Sequence, residues 1–121
     1  MKITPEKNNV KEWLALLEDG SKSGLHKNLW KKVYSNVAVP SRSRASVNLY
    51  KLRKYVKESE YVIVPGKVLG DIKVNKKFTI TALEYSTQAK KSLQGAGCTI
   101  LSINELYNLI KDKKARVNII V

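Results

Sequence analysis

Hydrophobic positions in this chain come in short blocks whose spacing changes several times. Thr4, Pro5 and Glu6 read as a helix start: a capping hydroxyl, a proline at the first helical position and an acid near the positive end of the dipole. Val10, Trp13, Leu14 and Leu17 then recur at helical spacing, and Gly20 is expected as a left-handed stop. A second helix is predicted from residue 25 to about 37, with Leu29, Val33 and Val37 on one face and Lys27, Lys31 and Lys32 on another. Pro40 ends it. Residues 45–49 suit a short strand, and Leu49, Leu52 and Val56 share one face of a helix running through Glu58.

Residues 61–64 read as a buried strand broken by Pro65 and Gly66, a pair suited to the centre of a type II turn, after which 67–69 resumes the extended chain. Residues 78–85 alternate in the β manner, and Ser86 caps a helix reaching about Gln94. Gly95 and Gly97 close it before a strand over 98–101. Ser102 and Glu105 stand in capping-box spacing ahead of an apolar stripe of Ile103, Leu106, Tyr107 and Ile110. After the charged turn at 111–114, Val117, Ile119 and Val121 alternate as a last strand. Short strands interleaved with helices predict a mixed α/β domain. Its expected division is a helical arm at residues 1–40 packed on an α/β core at 41–121.

Charge changes the picture. From Ser21 to Lys57 the chain has no Asp or Glu but carries ten Lys and Arg: Lys22, Lys27, Lys31, Lys32, Arg42, Arg44, Lys51, Arg53, Lys54 and Lys57. That block accounts for most of a net charge of +13. Like charges at this density oppose compaction unless a polyanion supplies counter-charge, and a pI near 9.9 puts nucleic acid first among candidates. An anionic membrane is the weaker alternative, because Pro40 and the polar segment at 41–46 interrupt any long amphipathic helix. No apolar run approaches the roughly 20 residues of a membrane span, and the N-terminus has no apolar signal segment, so a cytoplasmic protein is expected.

Catalytic chemistry is sparse. His26 is the only histidine and Cys98 the only cysteine, so metal clusters and triads lack their parts, and Cys98 suits core filling. Gly66-Lys67 is not a phosphate loop, since Val68 stands where that loop needs a Ser or Thr after the Lys. No enzyme activity and no cofactor are expected. Trp13 suits packing, Trp30 either packing or base stacking, and Tyr50 and Tyr55, interleaved with Lys51, Arg53 and Lys54, suit stacking on RNA.

Several segments in fixed order carry a family resemblance: Ser43-Arg44-Ala45-Ser46-Val47-Asn48-Leu49, then Val62-Ile63-Val64-Pro65-Gly66-Lys67-Val68-Leu69-Gly70, then Ser86 opening a helix that holds Ala89, then Ala96-Gly97, and finally Leu101-Ser102-Ile103-Asn104-Glu105-Leu106. Together they resemble the large-subunit ribosomal protein eighteen family of archaea and eukaryotes, related to bacterial large-subunit protein fifteen. The chain's compact length is similar to the archaeal form. The match covers roughly residues 25 to 121. It departs where Ser41 and Ser43 interrupt an arginine run, and where Asp112-Lys113-Lys114-Ala115 replaces a glycine-rich turn.

The resemblance implies an irregular strand-strand-helix superhelical α/β domain with an N-terminal helical arm. It also implies a structural role on 23S-type large-subunit rRNA in the cytoplasmic ribosome, beside neighbouring ribosomal proteins, without membrane or small-molecule substrate. A free-standing basic nucleic-acid-binding module is the alternative. The RNA-binding candidates are Arg42, Arg44, Lys51, Arg53 and Lys54, which lie between packed apolar positions, followed by Lys27, Lys31 and Lys32. Lys67 is expected to project from the Pro65-Gly66 turn, and Asn48 serves either RNA or a local turn.

Overall fold

Residues 61–69 are apolar on both faces of an extended chain, a pattern that demands cover on both sides and is typical of parallel sheets. The structure, a computed structural model, describes residues 5–22, 26–39, 44–110 and 117–121. In order, the elements are α1 (Pro5–Gly20), α2 (Lys27–Val37), β1 (Ala45–Asn48), α3 (Leu49–Tyr55), β2 (Tyr61–Leu69), β3 (Thr79–Tyr85), α4 (Thr87–Gly95), β4 (Thr99–Ile100), α5 (Ile103–Ile110) and β5 (Val117–Ile119). The fold is α/β with an N-terminal helix, as expected.

All the strand pairings are parallel, and β2 is the central strand. On one side it pairs with β3, which in turn pairs with β4. Its other edge is shared end to end: β5 pairs with Tyr61, Val62 and Ile63, and β1 with Gly66, Lys67, Val68 and Leu69.

The expected turn at Pro65-Gly66 does not form. Both residues are buried inside a single nine-residue strand. Val64 faces Ala82 and Lys67 faces Glu84, so β2 carries one more residue than β3 across this step, a β-bulge. Proline lacks an N–H and is tolerated in a central strand at such a bulge. Gly66 answers a different need. It pairs with Ala45, and a Cβ there would lie 2.8 Å from the Ala45 carbonyl carbon, so only glycine lets β1 approach.

Alternation along β2 sends Val62 and Val64 to one face and Ile63 to the other. On the first face they meet Leu49, Leu52, Ala89 and Leu93 from α3 and α4, together with Val56 and Phe78. On the second, Ile63 and Leu83 meet Trp13 and Leu17 of α1, Trp30, Val33 and Val37 of α2, and Ile103, Leu106 and Ile110 of α5. Trp30 is therefore a core residue, only 2% exposed, which settles packing over stacking. Gly20 is also explained by packing: its φ is not left-handed, and a Cβ would stand 2.8 Å from Trp30 Cδ1 and 2.9 Å from Tyr107 Cε1.

The expected caps at Ser86 and Ser102 form, and Thr4 lies outside the described residues. Ser86 Oγ accepts from the Ala89 N–H at 3.1 Å. Ser102 Oγ accepts from the Glu105 N–H at 3.2 Å, while Glu105 Oε1 accepts from the Ser102 N–H at 3.1 Å, completing the capping box. Helix α3 stops at Tyr55, short of the expected Glu58, because Val56 turns into the β region to bury its side chain. Ser59, with φ 64°, then turns the chain toward β2.

Candidate nucleic-acid interface

Helix α2 buries Trp30, Val33 and Val37, a spacing of three and four residues that leaves the rest of the helix outward. Lys27, Lys31 and Lys32 are exposed there, and the first turn holds no acid. After this helix Arg44 folds back, its Nε donating to the Val37 carbonyl oxygen at 3.1 Å. A cation on the last turn satisfies a free carbonyl and complements the negative end of the helix dipole. Arg44 thus fixes the entry of β1 against α2. Arg42 lies outside the described residues.

Asn48 is the N-cap of α3. Its Oδ1 accepts from the Tyr50 N–H at 2.9 Å, which gives it the local-turn role while its side chain stays exposed. Gly70, at φ 109°, passes close enough that a Cβ would sit 3.0 Å from the same Oδ1.

Helix α3 buries Leu49 and Leu52 and turns its remaining residues outward. Tyr50 and Tyr55 are 55% and 56% exposed, the large aromatic surfaces of this face. The Arg53 guanidinium stands 5.6 Å from the Tyr50 ring centre and Lys54 Nζ 5.4 Å from that of Tyr55, both within cation–π range. Arg53 Nη1 also donates to the Lys73 carbonyl at 3.2 Å, and Lys51 Nζ donates to the Val121 carbonyl. These contacts hold the charged heads and aromatic rings in fixed positions.

Lys67 leaves the sheet from within β2. It is half-exposed and pairs with Glu84 Oε1 at 3.5 Å, so the expected turn-borne lysine is a strand-borne one beside a carboxylate. Arg44, Ser46, Gly66, Lys67 and Glu84 line a small cavity of about 140 Å³. Sequence reasoning missed Glu84, because only the bulged β2–β3 register brings it beside Lys67. It also missed Lys76, whose Nζ donates to the carbonyl oxygens of Arg53 at 2.8 Å and Val56 at 3.0 Å. Those are terminal carbonyls of α3, and no local pattern links position 76 to them.

The basic block is divided by the sheet. Helix α2 belongs to the layer of α1 and α5, and α3 to the opposite layer with α4, with β1 at the sheet edge between them. Arg44 and Asn48 mark the two ends of that edge strand.

Chemistry elsewhere is quiet. Cys98 is buried, its thiol donating to the Lys76 carbonyl at 3.2 Å, and burial pushes its pKa up. Burial likewise pushes the Tyr85 phenol well above its ordinary value. Among the described residues no group of three His, Cys, Asp or Glu side chains is placed to hold a metal, and no helix is long and apolar enough to cross a membrane.

A family model described as ribosomal proteins 50S-L15, 50S-L18e and their 60S counterpart matches residues 27–101, more than half of the chain. The chain is 39% identical over 88 residues to the large ribosomal subunit protein eL18 of Sulfurisphaera tokodaii, covering 73% of this chain and 75% of that one. It is 42% identical over 78 residues to the protein of that name from Archaeoglobus fulgidus, covering 64% and 67%. For the protein of that name from Thermoplasma acidophilum the figures are 39% over 89 residues, covering 74% and 69%. The family is one of structural ribosomal components and not of enzymes. The parallel α/β fold, the ordered motifs from Arg44 to Leu106 and these similarities agree: the chain belongs to the family of ribosomal proteins 50S-L15, 50S-L18e and their 60S counterpart.

Proposed function

We propose that the protein is a structural constituent of the cytoplasmic large ribosomal subunit, where its basic surface binds and stabilises folded large-subunit rRNA beside neighbouring ribosomal proteins. The observation that carries this reading is that the acid-free basic block is displayed by packed elements: Lys27, Lys31 and Lys32 by α2, Arg44 at the start of β1, and Lys51, Arg53 and Lys54 by α3. Lysine and arginine held at fixed positions neutralise phosphates and release condensed counterions, while hydroxyls and amides orient the complex. RNA helices are recognised this way, largely by shape and 2′-hydroxyl contacts. Residues 1–40 act as a helical arm on the α/β core, carrying the α2 cations outward.

Lys67 contributes less than the others, because Glu84 already supplies counter-charge. Asn48 has its carbonyl oxygen engaged by the helix cap and offers its amide N–H groups.

The test is sedimentation of extract from cells of the source organism, or a close relative, carrying a tagged copy, followed by quantitative mass spectrometry of the large-subunit fraction. Stoichiometric presence is expected. Absence from that fraction, with the protein spread over bulk nucleic acid, would favour a free-standing binding module and reject the ribosomal reading.

A further inference from the structure

The two basic helices face away from one another. Their apolar residues point inward to opposite sides of one sheet: Trp30, Val33 and Val37 of α2 join the cluster containing Ile63, and Leu49 and Leu52 of α3 join the cluster containing Val62 and Val64. A helix is about 10–12 Å across, and packed layers stand about 10 Å apart. The outward faces of α2 and α3 are therefore about 30 Å apart with an apolar core between them. One stiff RNA helix cannot lie on both.

The two faces also differ in chemistry. Lys27, Lys31 and Lys32 give α2 point charges suited to a duplex backbone. Helix α3 adds Tyr50 and Tyr55, exposed and held against Arg53 and Lys54. Exposed aromatic rings beside cations are the parts that stack unpaired bases. We infer that the protein bridges two separate RNA segments, with α2 on a duplex backbone and α3 on a segment whose bases are unpaired. This inference rests on the RNA-binding reading and adds to it a two-sided geometry.

Native mass spectrometry of the full chain with two probes tests it: a blunt RNA duplex of about one helical turn and a short unstructured RNA strand of mixed sequence. The wild-type protein should form a ternary complex holding one of each. The α2 variant Lys27→Gln, Lys31→Gln, Lys32→Gln should lose the duplex and keep the strand, its salt-dependence slope for duplex falling by up to about 2.7 if each lysine meets one phosphate. The α3 variant Tyr50→Ala, Tyr55→Ala should keep the duplex and bind the strand at least about five-fold more weakly for each tyrosine removed. The probe that each variant retains is also the check that it is folded. Competition of the two probes for one site, or equal weakening of both by either variant, would overturn the bridge and leave RNA binding standing. Failure of wild-type protein to bind either probe would remove both.

Discussion

Replacing Gly66 by alanine should be among the most damaging single-methyl changes in this protein. The added Cβ would lie well inside contact distance of the Ala45 carbonyl oxygen and 2.8 Å from its carbon. Those are backbone atoms of a paired strand, so no rotamer change relieves the clash and β1 must move away from β2. Overpacking costs about 1–3 kcal/mol where side chains can adjust. With a strand displaced, the upper end, about 3 kcal/mol, is the appropriate figure. For 121 residues, at about 2.1 cal/mol/K of unfolding entropy per residue, that lowers Tm by about 12 °C. Gly95 supplies the control, because a Cβ there meets nothing within 4 Å at the end of α4. Gly95→Ala should leave Tm unchanged or raise it by up to about 4 °C, through the better helix propensity of alanine. Calorimetric melts of both variants beside the parent decide the matter. A Gly66→Ala protein melting within about 3 °C of the parent would show that β1 does not approach β2 this closely.

Asn48→Ala removes the α3 cap and should cost about 1 kcal/mol in urea unfolding; no change in midpoint would mean that the Asn48–Tyr50 hydrogen bond adds nothing to stability. Thr81 is fully buried and its Oγ1 has no hydrogen-bond partner among the described residues, so Thr81→Val, which keeps the shape and drops the hydroxyl, should raise stability by about 1 kcal/mol. A clear loss on chemical denaturation would reveal a hydrogen bond through that hydroxyl. Tyr85 should stay protonated when exposed tyrosines ionise. Its folded pKa lies above the unfolded value of about 10, so the stability tied to the neutral phenol is complete below pH 10 and falls as pH rises beyond it. Difference absorbance on alkaline titration should find Tyr85 missing from the first phenolate step; a Tyr85→Phe variant with an unchanged amplitude confirms this, and a reduced amplitude contradicts it.

Features set by neighbours in sequence were legible without a structure. Ser86, Ser102 and Glu105 act within a single helical turn, and their caps form as the spacing predicts. The burial of Val33 and Val37, and of Leu49 and Leu52, follows from periodicity in the same way. Pro65-Gly66 misled because a local turn and a bulge in a central strand use the same two residues. The choice between them is made by β1 and β3, which lie elsewhere in the chain. Trp30 was ambiguous for a similar reason: its burial depends on Gly20 and on Tyr107, 5.2 Å away between ring centres. Among the candidate contacts, the outward direction of Lys27, Lys31 and Lys32 could be read from one helix. The Arg44–Val37 bond, the Lys67–Glu84 pair and the division of the basic block across two layers required tertiary structure.

The shared edge of β2 has a consequence for the order in which the chain is made. Ile63 pairs with Ile119, fifty-six residues later. At about 5–20 residues per second, the ribosome making this chain needs about 3–11 s to add that interval. Within it, β1 and α3 can pack on β2, and β3 joins them once Tyr85 is made, since their partners are close in sequence and cheap to close. The Tyr61-Val62-Ile63 half of the edge meanwhile displays unpaired backbone beside apolar side chains, the template to which other nascent strands add. The strand that protects those three residues is thus the last one synthesised among the elements described.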